Sequence, residues 1–411
     1  MLRSTIVQPE PPGCACLAAL LPIDYTPPVL EVAQREVVME IVLEEVKTRK
    51  DLKRFIFLPA KIHKGRKNWV PPIWIDEWSV FDPEKNNSFA HCDTIRLLAW
   101  RGEELVGRIM GIINRRYNEH REEKIARWAW LEAWEDREVI HALLARVEEW
   151  ARQSGMERII GPYGFSDQDP EGYLIEGFEH RATIATYYNF EWLPGIIEDE
   201  GYVKDMDYFV YTYPIPDPVP EHYAKICERV KKRGFEVTEF TKRKELKPWV
   251  KPILGLMNET YTETNIYGYT PLTEKEMEAL ARRYLPMLDP RLVKAVFVDG
   301  EPVAFVISMP DLTLGIQQAK GRLFPFGLLK IVRAAKRTEQ LDLLLGAVKK
   351  EYRGKGLDIL MGTAIFRSGI EAGLNVIDTH HEMETNEAVR SGMERMGGVI
   401  YKIFRVWQKQ L

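Results

Sequence analysis

The stretch Leu341–Trp407 constrains this chain more than any other. An apolar run (Leu341, Leu343, Leu344, Leu345, Ala347, Val348) feeds the turn Glu351-Tyr352-Arg353-Gly354-Lys355-Gly356-Leu357, and a helical pattern leaves it from Asp358 to about Ala372. A second apolar strand follows at Val376–Thr379, then Asn386 opening a helix, the pair Gly397-Gly398 and a closing strand Ile400–Trp407. Glycines at a strand-to-helix junction let the backbone curl so that several N–H groups converge. The helix that follows adds the positive end of its dipole. Such a junction predicts a socket for an anion, most naturally a phosphate or pyrophosphate.

Tyr352-Arg353-Gly354-Lys355-Gly356 resembles the acyl-CoA loop of the GNAT (Gcn5-related N-acyltransferase) superfamily, and the strands and helices after it follow that family's order. The family pattern is Arg/Gln-x-x-Gly-x-Gly/Ala, and Asp358 stands here at the last small position, a carboxylate where the pyrophosphate would approach. The resemblance implies acyl-CoA, or an acyl carrier protein, as a co-substrate and no permanently bound cofactor. It implies that Arg353, Gly354, Lys355, Gly356 and Leu357 hold the donor phosphates. Ala347 and Val348 would pair with the pantetheine, and Asn386 would contact it too. Seven residues beyond Asn386 the family often has a Tyr that protonates the leaving thiolate; Met393 is there, leaving Tyr401 or solvent.

The chain repeats itself once. Glu104-Leu105-Val106-Gly107 matches Glu301-Pro302-Val303-Ala304, and Gly201-Tyr202-Val203 with Val210-Tyr211 matches Gly397-Gly398-Val399 with Val406-Trp407. Both matches share an offset of about 197 residues, as a duplication would give. Strands alternate with amphipathic helices in both halves, an α/β class. The expected architecture is two tandem GNAT-like domains, each a mixed, mostly antiparallel sheet flanked by helices. They would span 39–213 and 221–411, joined by the proline-rich linker 214–220. Glu135-Asp136-Arg137 runs straight from strand to helix in the first half, a poor pyrophosphate cradle. The first half is therefore expected to be a degenerate copy that shapes the substrate site.

A net charge of −4 excludes a nucleic-acid-binding balance, and no apolar run reaches the roughly 20 residues that span a bilayer. Four cysteines without metal-ligand spacing fit a reducing cytoplasm. Residues 1–38 are expected to be a disordered leader or an early start, with Met39 as an alternative beginning.

N-acyl transfer needs a base for the amine and a polarised donor carbonyl. His380-His381-Glu382-Met383-Glu384 supplies the candidates. Read as one strand, it puts His381 and Met383 on one face and His380, Glu382 and Glu384 on the other, which splits any metal set. Glu384 is the expected base, with His381 beside it. Asp167, Asp169 and Glu176, in the Gly/Asp-rich insertion of the first half, are expected to line an acceptor pocket, although such loops are also ordinary turns. The insertion of the second half, 315–338, has six cations, no acid and interleaved apolar residues including Phe324 and Phe326. Those two are expected to meet an acyl chain, and the segment to touch a membrane.

The tandem layout, with Gly161-Pro162, Phe165-Ser166, Glu171-Gly172 and Gly321-Arg322-Leu323-Phe324-Pro325-Phe326-Gly327, resembles the large GNAT-like proteins that include bacterial ceramide synthases. That likeness implies acyl transfer from a thioester to a primary amine, with a lipid amine such as a sphingoid base as acceptor. Two alternatives stand beside it: a FemABX-like aminoacyl transferase, and a non-catalytic GNAT-fold binding module.

Overall fold

Thr48 opens the first helix: its hydroxyl accepts from the Asp51 amide while the Asp51 carboxylate accepts from the Thr48 amide, a capping box. The same device at Thr273 with Glu276 starts a helix of the second half. The computed structural model describes residues 39–411, and Glu40–Leu411 form one compact unit. The expectations about the leader, Cys14 and Cys16 fall outside the described residues.

The first half runs β1 (Ile41–Glu45), α1 (Arg49–Ile62), α2 (Trp74–Val80), β2 (Cys92–Arg101), β3 (Glu104–Asn114), α3 (Arg115–Arg121) and β4 (Ile125–Ala133). It continues with α4 (Arg137–Gln153), β5 (Arg158–Gly161), β6 (Tyr173–Glu176), α5 (Leu193–Asp199) and β7 (Val203–Pro214). The second half has α6 (Glu221–Lys232), β8 (Val237–Glu239), α7 (Arg243–Leu246), α8 (Val250–Glu263), α9 (Glu274–Tyr284), β9 (Val293–Val298) and β10 (Glu301–Pro310). Then come α10 (Thr313–Gln318), α11 (Gly327–Ala335), β11 (Gln340–Val348), α12 (Leu357–Glu371), β12 (Val376–Asp378), β13 (Glu382–Met383), α13 (Glu387–Arg395) and β14 (Val399–Gln410).

The long strands and helices foreseen from periodicity are present, and the mixed α/β architecture holds. What periodicity did not reveal is the pairing. The sheet order is β1-β2-β3-β4-β5-β14-β7-β12-β11-β10-β9-β8. The last strand of the chain thus lies between two strands of the first half, while β7, the last strand of the first half, pairs on its other edge with β12. The halves exchange their closing strands.

Burial and charge hold the exchange. Trp407 of β14 is fully buried in the core formed by Trp128, Tyr173, Leu143 and Ile159 of the first half. Two residues earlier, Arg405 sets its guanidinium fork on Asp207 of β7, with contacts of 2.8 and 3.0 Å. A two-pronged pair of this kind is stronger than a point contact.

In each half one pair of strands is parallel and then diverges. β4 meets β5 only at Ile125↔Arg158 to Arg127↔Ile160, and β11 meets β12 only at Gln340↔Val376 to Asp342↔Asp378. Beyond those rungs each sheet opens as a wedge. In both wedges the longer strand carries a bulge: β3–β4 pairing shifts between Arg108 and Met110, and β10–β11 pairing shifts between Ile307 and Ser308. The extra residue on β11 is Leu344, which has no partner on β10.

Because β14 has both neighbours in the first half, Trp407→Ala should cost about 3–5 kcal/mol and loosen both halves together. Urea unfolding should show one cooperative transition displaced as a whole; a second half that melts separately at the wild-type midpoint would contradict the exchange.

Candidate active site

The turn after β11 forms as its glycines require. Gly354 and Gly356 have φ of 72° and 86°, and a Cβ on Gly356 would lie 2.9 Å from Val230 of α6. Helix α12 then begins at Leu357 with no side-chain cap. Its first-turn amides have no intrahelical acceptor, and Asp358 projects into solvent. The cations of the turn are held by α8: Lys350 pairs with Glu263 at 2.8 Å, Arg353 with Glu263 at 3.3 Å and Lys349 with Glu259 at 3.4 Å. Arg353 also donates to the Val348 carbonyl at 3.0 Å. Ala347 is buried and Gly346 is exposed on the diverging stretch of β11. Asn386 opens α13, without a side-chain cap bond.

The equivalent wedge in the first half is filled. The Trp130 amide at its bulge donates to the Tyr187 hydroxyl at 3.1 Å, and the Tyr173 hydroxyl donates to the Leu131 carbonyl at 2.6 Å. Its helix start is occupied too: Asp136 accepts from the Glu138 and Val139 amides and is paired with Arg101.

The Gly/Asp insertion and the chain after β12 come together in a buried polar chamber. Glu171 Oε1 lies 4.0 Å from Nδ1 of His381, whose ring stacks on Tyr208 at 5.2 Å. Burial raises the Tyr261 hydroxyl of α8, with help from the charges of Asp167 and Glu382, and Asp167 also acts on Glu171 and Tyr269. Tyr261 also reaches the Gly346 backbone, which joins the chamber to the open strand β11. Asp167 Oδ1, Gln168 Nε2, Glu171 Oε2 and His381 Nε2 are buried without a hydrogen-bond partner. Buried polar atoms are normally satisfied, so a group of four marks a place built for something polar.

Burial sets the protonation of this chamber. It lifts the Glu382 carboxyl to about 8 and Asp167 to about 7, the latter with help from Asp169. Glu171 is pushed well above the carboxylate range by burial and by Asp167. His381 is driven well below its usual value by burial and by His380, and is neutral.

The run Val376–Glu384 is not one strand. β12 pairs Asp378 with Thr212 and β13 pairs Glu382 with Phe209, so one extra residue lies between them. His380 takes it up with φ of 58°. Glu382 pairs with Phe209 of β7 and is half-buried, whereas Glu384 accepts from the Asp207 amide at 3.1 Å and pairs with Lys204 at 2.6 Å. His380 is engaged with the Ile184 carbonyl at 2.8 Å. Among the described residues no His/Cys/Asp/Glu group is arranged to hold a metal.

At the base of the wedge lies a second buried network. Lys402 of β14 donates to Thr183 at 2.8 Å, and Thr183 and Tyr401 both donate to Asp378. Asp342, the facing rung on β11, is held well above the usual range by burial and by the charges of Asp378 and Asp311. The Tyr401 hydroxyl is thus committed to Asp378. Asp169 closes its own turn, accepting from the Phe165 amide at 2.9 Å, and Glu176 is exposed on β6. Phe324 and Phe326 point to solvent, 74% and 68% exposed. A depression of about 560 Å³ lined by Tyr213, Ile215, Val376 and Val399 lies elsewhere on the sheet and holds no carboxylate, histidine or cation. Sequence reasoning placed Glu382 among the base candidates but preferred Glu384, and it assigned no role to Glu171, Tyr208 or Tyr261.

The acetyltransferase (GNAT) family profile matches residues 66–163, in the first half. A tandem GNAT protein from the clavulanic acid biosynthesis pathway superimposes with a TM-score of 0.51 at 13% identity, over 90% of this chain and 98% of that one. The chain has a tandem GNAT-like fold. It is 29% identical over 376 residues to the bacterial ceramide synthase of Caulobacter vibrioides, covering 89% of this chain and 96% of the relative. It is 24% identical over 372 residues to protein YghO of Escherichia coli K12, over 88% and 94% of the two chains.

The half-buried Glu382 has a pH signature. A carboxyl whose folded-state value is raised binds its proton more tightly in the folded chain, so stability is lost as pH rises from about 4.5 to about 8. Glu382→Gln should therefore gain on the wild type through that window and keep the advantage above it. Urea melts at stepped pH read this; parallel curves would contradict a raised Glu382 carboxyl.

Proposed function

We propose that this protein is an N-acyltransferase. It moves an acyl group from an acyl-CoA or acyl-carrier-protein thioester, lying along β11, to a primary amine that enters the Asp167–Glu171–His381–Glu382 chamber. The acceptor is a lipid amine such as a sphingoid base. The family match and the Caulobacter relative support an acyltransferase. The observation that carries the reading is the contrast between the two bulges. Trp130 has its amide taken by Tyr187, whereas Leu344 sits unpaired with β10 beside the chamber.

The donor diphosphate meets the turn at Arg353–Leu357 and the start of α12, its pantetheine follows Ala347 and Val348, and Asn386 contacts it from the far side. The Leu344 amide faces the thioester carbonyl and stabilises the oxyanion. Glu382, with a value near 8, takes a proton from the incoming ammonium, and neutral His381 orients the amine. The amine nitrogen then bonds to the thioester carbon, the tetrahedral intermediate gives up its second N–H proton to solvent and collapses, and the C–S bond breaks. The thiolate leaves and takes up a proton from solvent. Glu384, tied to Lys204, and Tyr401, tied to Asp378, are positioning residues in this scheme.

The first half, its wedge filled, shapes the acceptor chamber and binds no donor. No helix among the described residues is long and apolar enough to cross a membrane. The buried free thiols Cys92 and Cys227 suit a reducing compartment, so we place the enzyme in the cytoplasm, meeting its lipid acceptor on the inner membrane face.

Thermal-shift titration tests the reading. Palmitoyl-CoA should stabilise the protein more than CoA or acetyl-CoA, and Arg353→Ala should abolish the response. Silence toward all three would leave the fold a non-catalytic module. Glu263→Gln, by releasing Lys350 and Arg353 from α8, should tighten donor binding a few-fold; weaker binding would show that these cations do not face the phosphates.

A further inference from the structure

The segment between Asp311 and Glu339 folds as a short hairpin of α10 and α11, drawn together where Gly315 packs on Ile331. A Cβ there would come within 2.5 Å of the Ile331 backbone. It is fastened to the first half: Trp74 donates its indole N–H to the Lys320 carbonyl at 2.8 Å, and Gln317 donates to the carbonyls of Lys67 and Trp69. Its inner face, with Ile316, Ala319 and Ile331, packs against Leu344 and Ile184. The residue beneath the hairpin is therefore the unpaired bulge residue of β11.

Its outer face is the opposite of what a water-facing surface needs. Phe324, Phe326, Leu328, Leu329 and Val332 are 74, 68, 53, 67 and 45% exposed, side by side at the hairpin tip and on one side of α11. Around them stand Arg322, Lys330, Arg333, Lys336 and Arg337, and the segment contains no carboxylate to pair them, in a chain whose net charge is −4.

We propose that this hairpin is a docking wedge for an anionic lipid bilayer, seating its aromatic tip among the acyl chains and its cations at the headgroups. The chemistry favours a bilayer over a protein: a protein partner calls for charges of both signs and few lysines, whereas an apolar tip ringed by one sign matches an anionic interface. The proposal deepens the acyltransferase reading and rests on it for its purpose. With the hairpin on the membrane, the bilayer lies next to the element that packs on Leu344 of the donor strand, so a lipid acceptor is taken up close to the site.

The test is co-sedimentation of the full chain with vesicles of phosphatidylcholine alone and of phosphatidylcholine with phosphatidylglycerol. Wild type should sediment with the anionic vesicles only, and added salt should weaken the binding. Phe324→Ser with Phe326→Ser and Leu329→Ser should weaken it by on the order of 10-fold or more. Arg333→Glu with Lys336→Glu and Arg337→Glu should do the same. The side chains are exposed, so both triple variants should melt with the wild type, which separates lost docking from lost folding. Sedimentation equal in wild type and variants, or none at all, overturns the proposal. So does hairpin-dependent dimerisation without vesicle binding, which would make the face a contact between copies. Failure of the acyltransferase reading would appear instead as silence toward thioesters with vesicle binding intact.

Discussion

The insertion of β14 between β5 and β7 is the constraint from which the rest follows. A strand with its hydrogen-bonding partners on both edges in the other half cannot form until that half is in place. Trp407 carries its packing into the first core, Arg405 locks it to Asp207, and Lys402 runs from it into the buried Thr183–Asp378 network. The register of this strand sets where β7 lies, and β7 in turn holds β12 and β13. The buried polar chamber is consequently drawn from both halves: Asp167 and Glu171 from the first, Tyr208 from the shared strand, His381 from the second.

The two wedges show how one geometry can be kept or given up. A parallel pair that diverges leaves main-chain groups without a strand partner, and a buried main-chain group must be satisfied by something. In the first half tyrosine hydroxyls do it from within, and Asp136 satisfies the helix start. A ligand would have to displace both. In the second half the same positions carry Leu344 at the bulge and a left-handed glycine at the helix start, with cations leaning on α8 glutamates that an incoming diphosphate can replace. The buried network at the base of that wedge, with Asp342 and Asp378 facing each other across the last parallel rung, fixes the point from which it opens.

Local pattern made much of this legible. The strand, glycine turn and helix around Arg353 are encoded within about twenty consecutive residues, and both the duplication and the filled first-half junction show in neighbouring side chains. The strand exchange was not legible, because pairing between Trp407 and Gly161 is a register set by packing far apart in sequence. Nor was the bulge at His380; alternation assumes a regular strand, and only the pairing with β7 breaks it. Asp167 was readable as a loop acid, but the burial of its carboxyl without a hydrogen-bond partner was not. The exposed aromatics of the hairpin were readable as apolar, although composition gave no hint of which way they face.

Amide hydrogen exchange with and without palmitoyl-CoA tests the central claim most directly, since it reports each wedge separately. Protection should appear across Leu343–Ile359, including the Leu344 amide, with Ala129–Val139 of the first half unchanged. Protection in the first-half wedge instead, or in neither, would contradict the account.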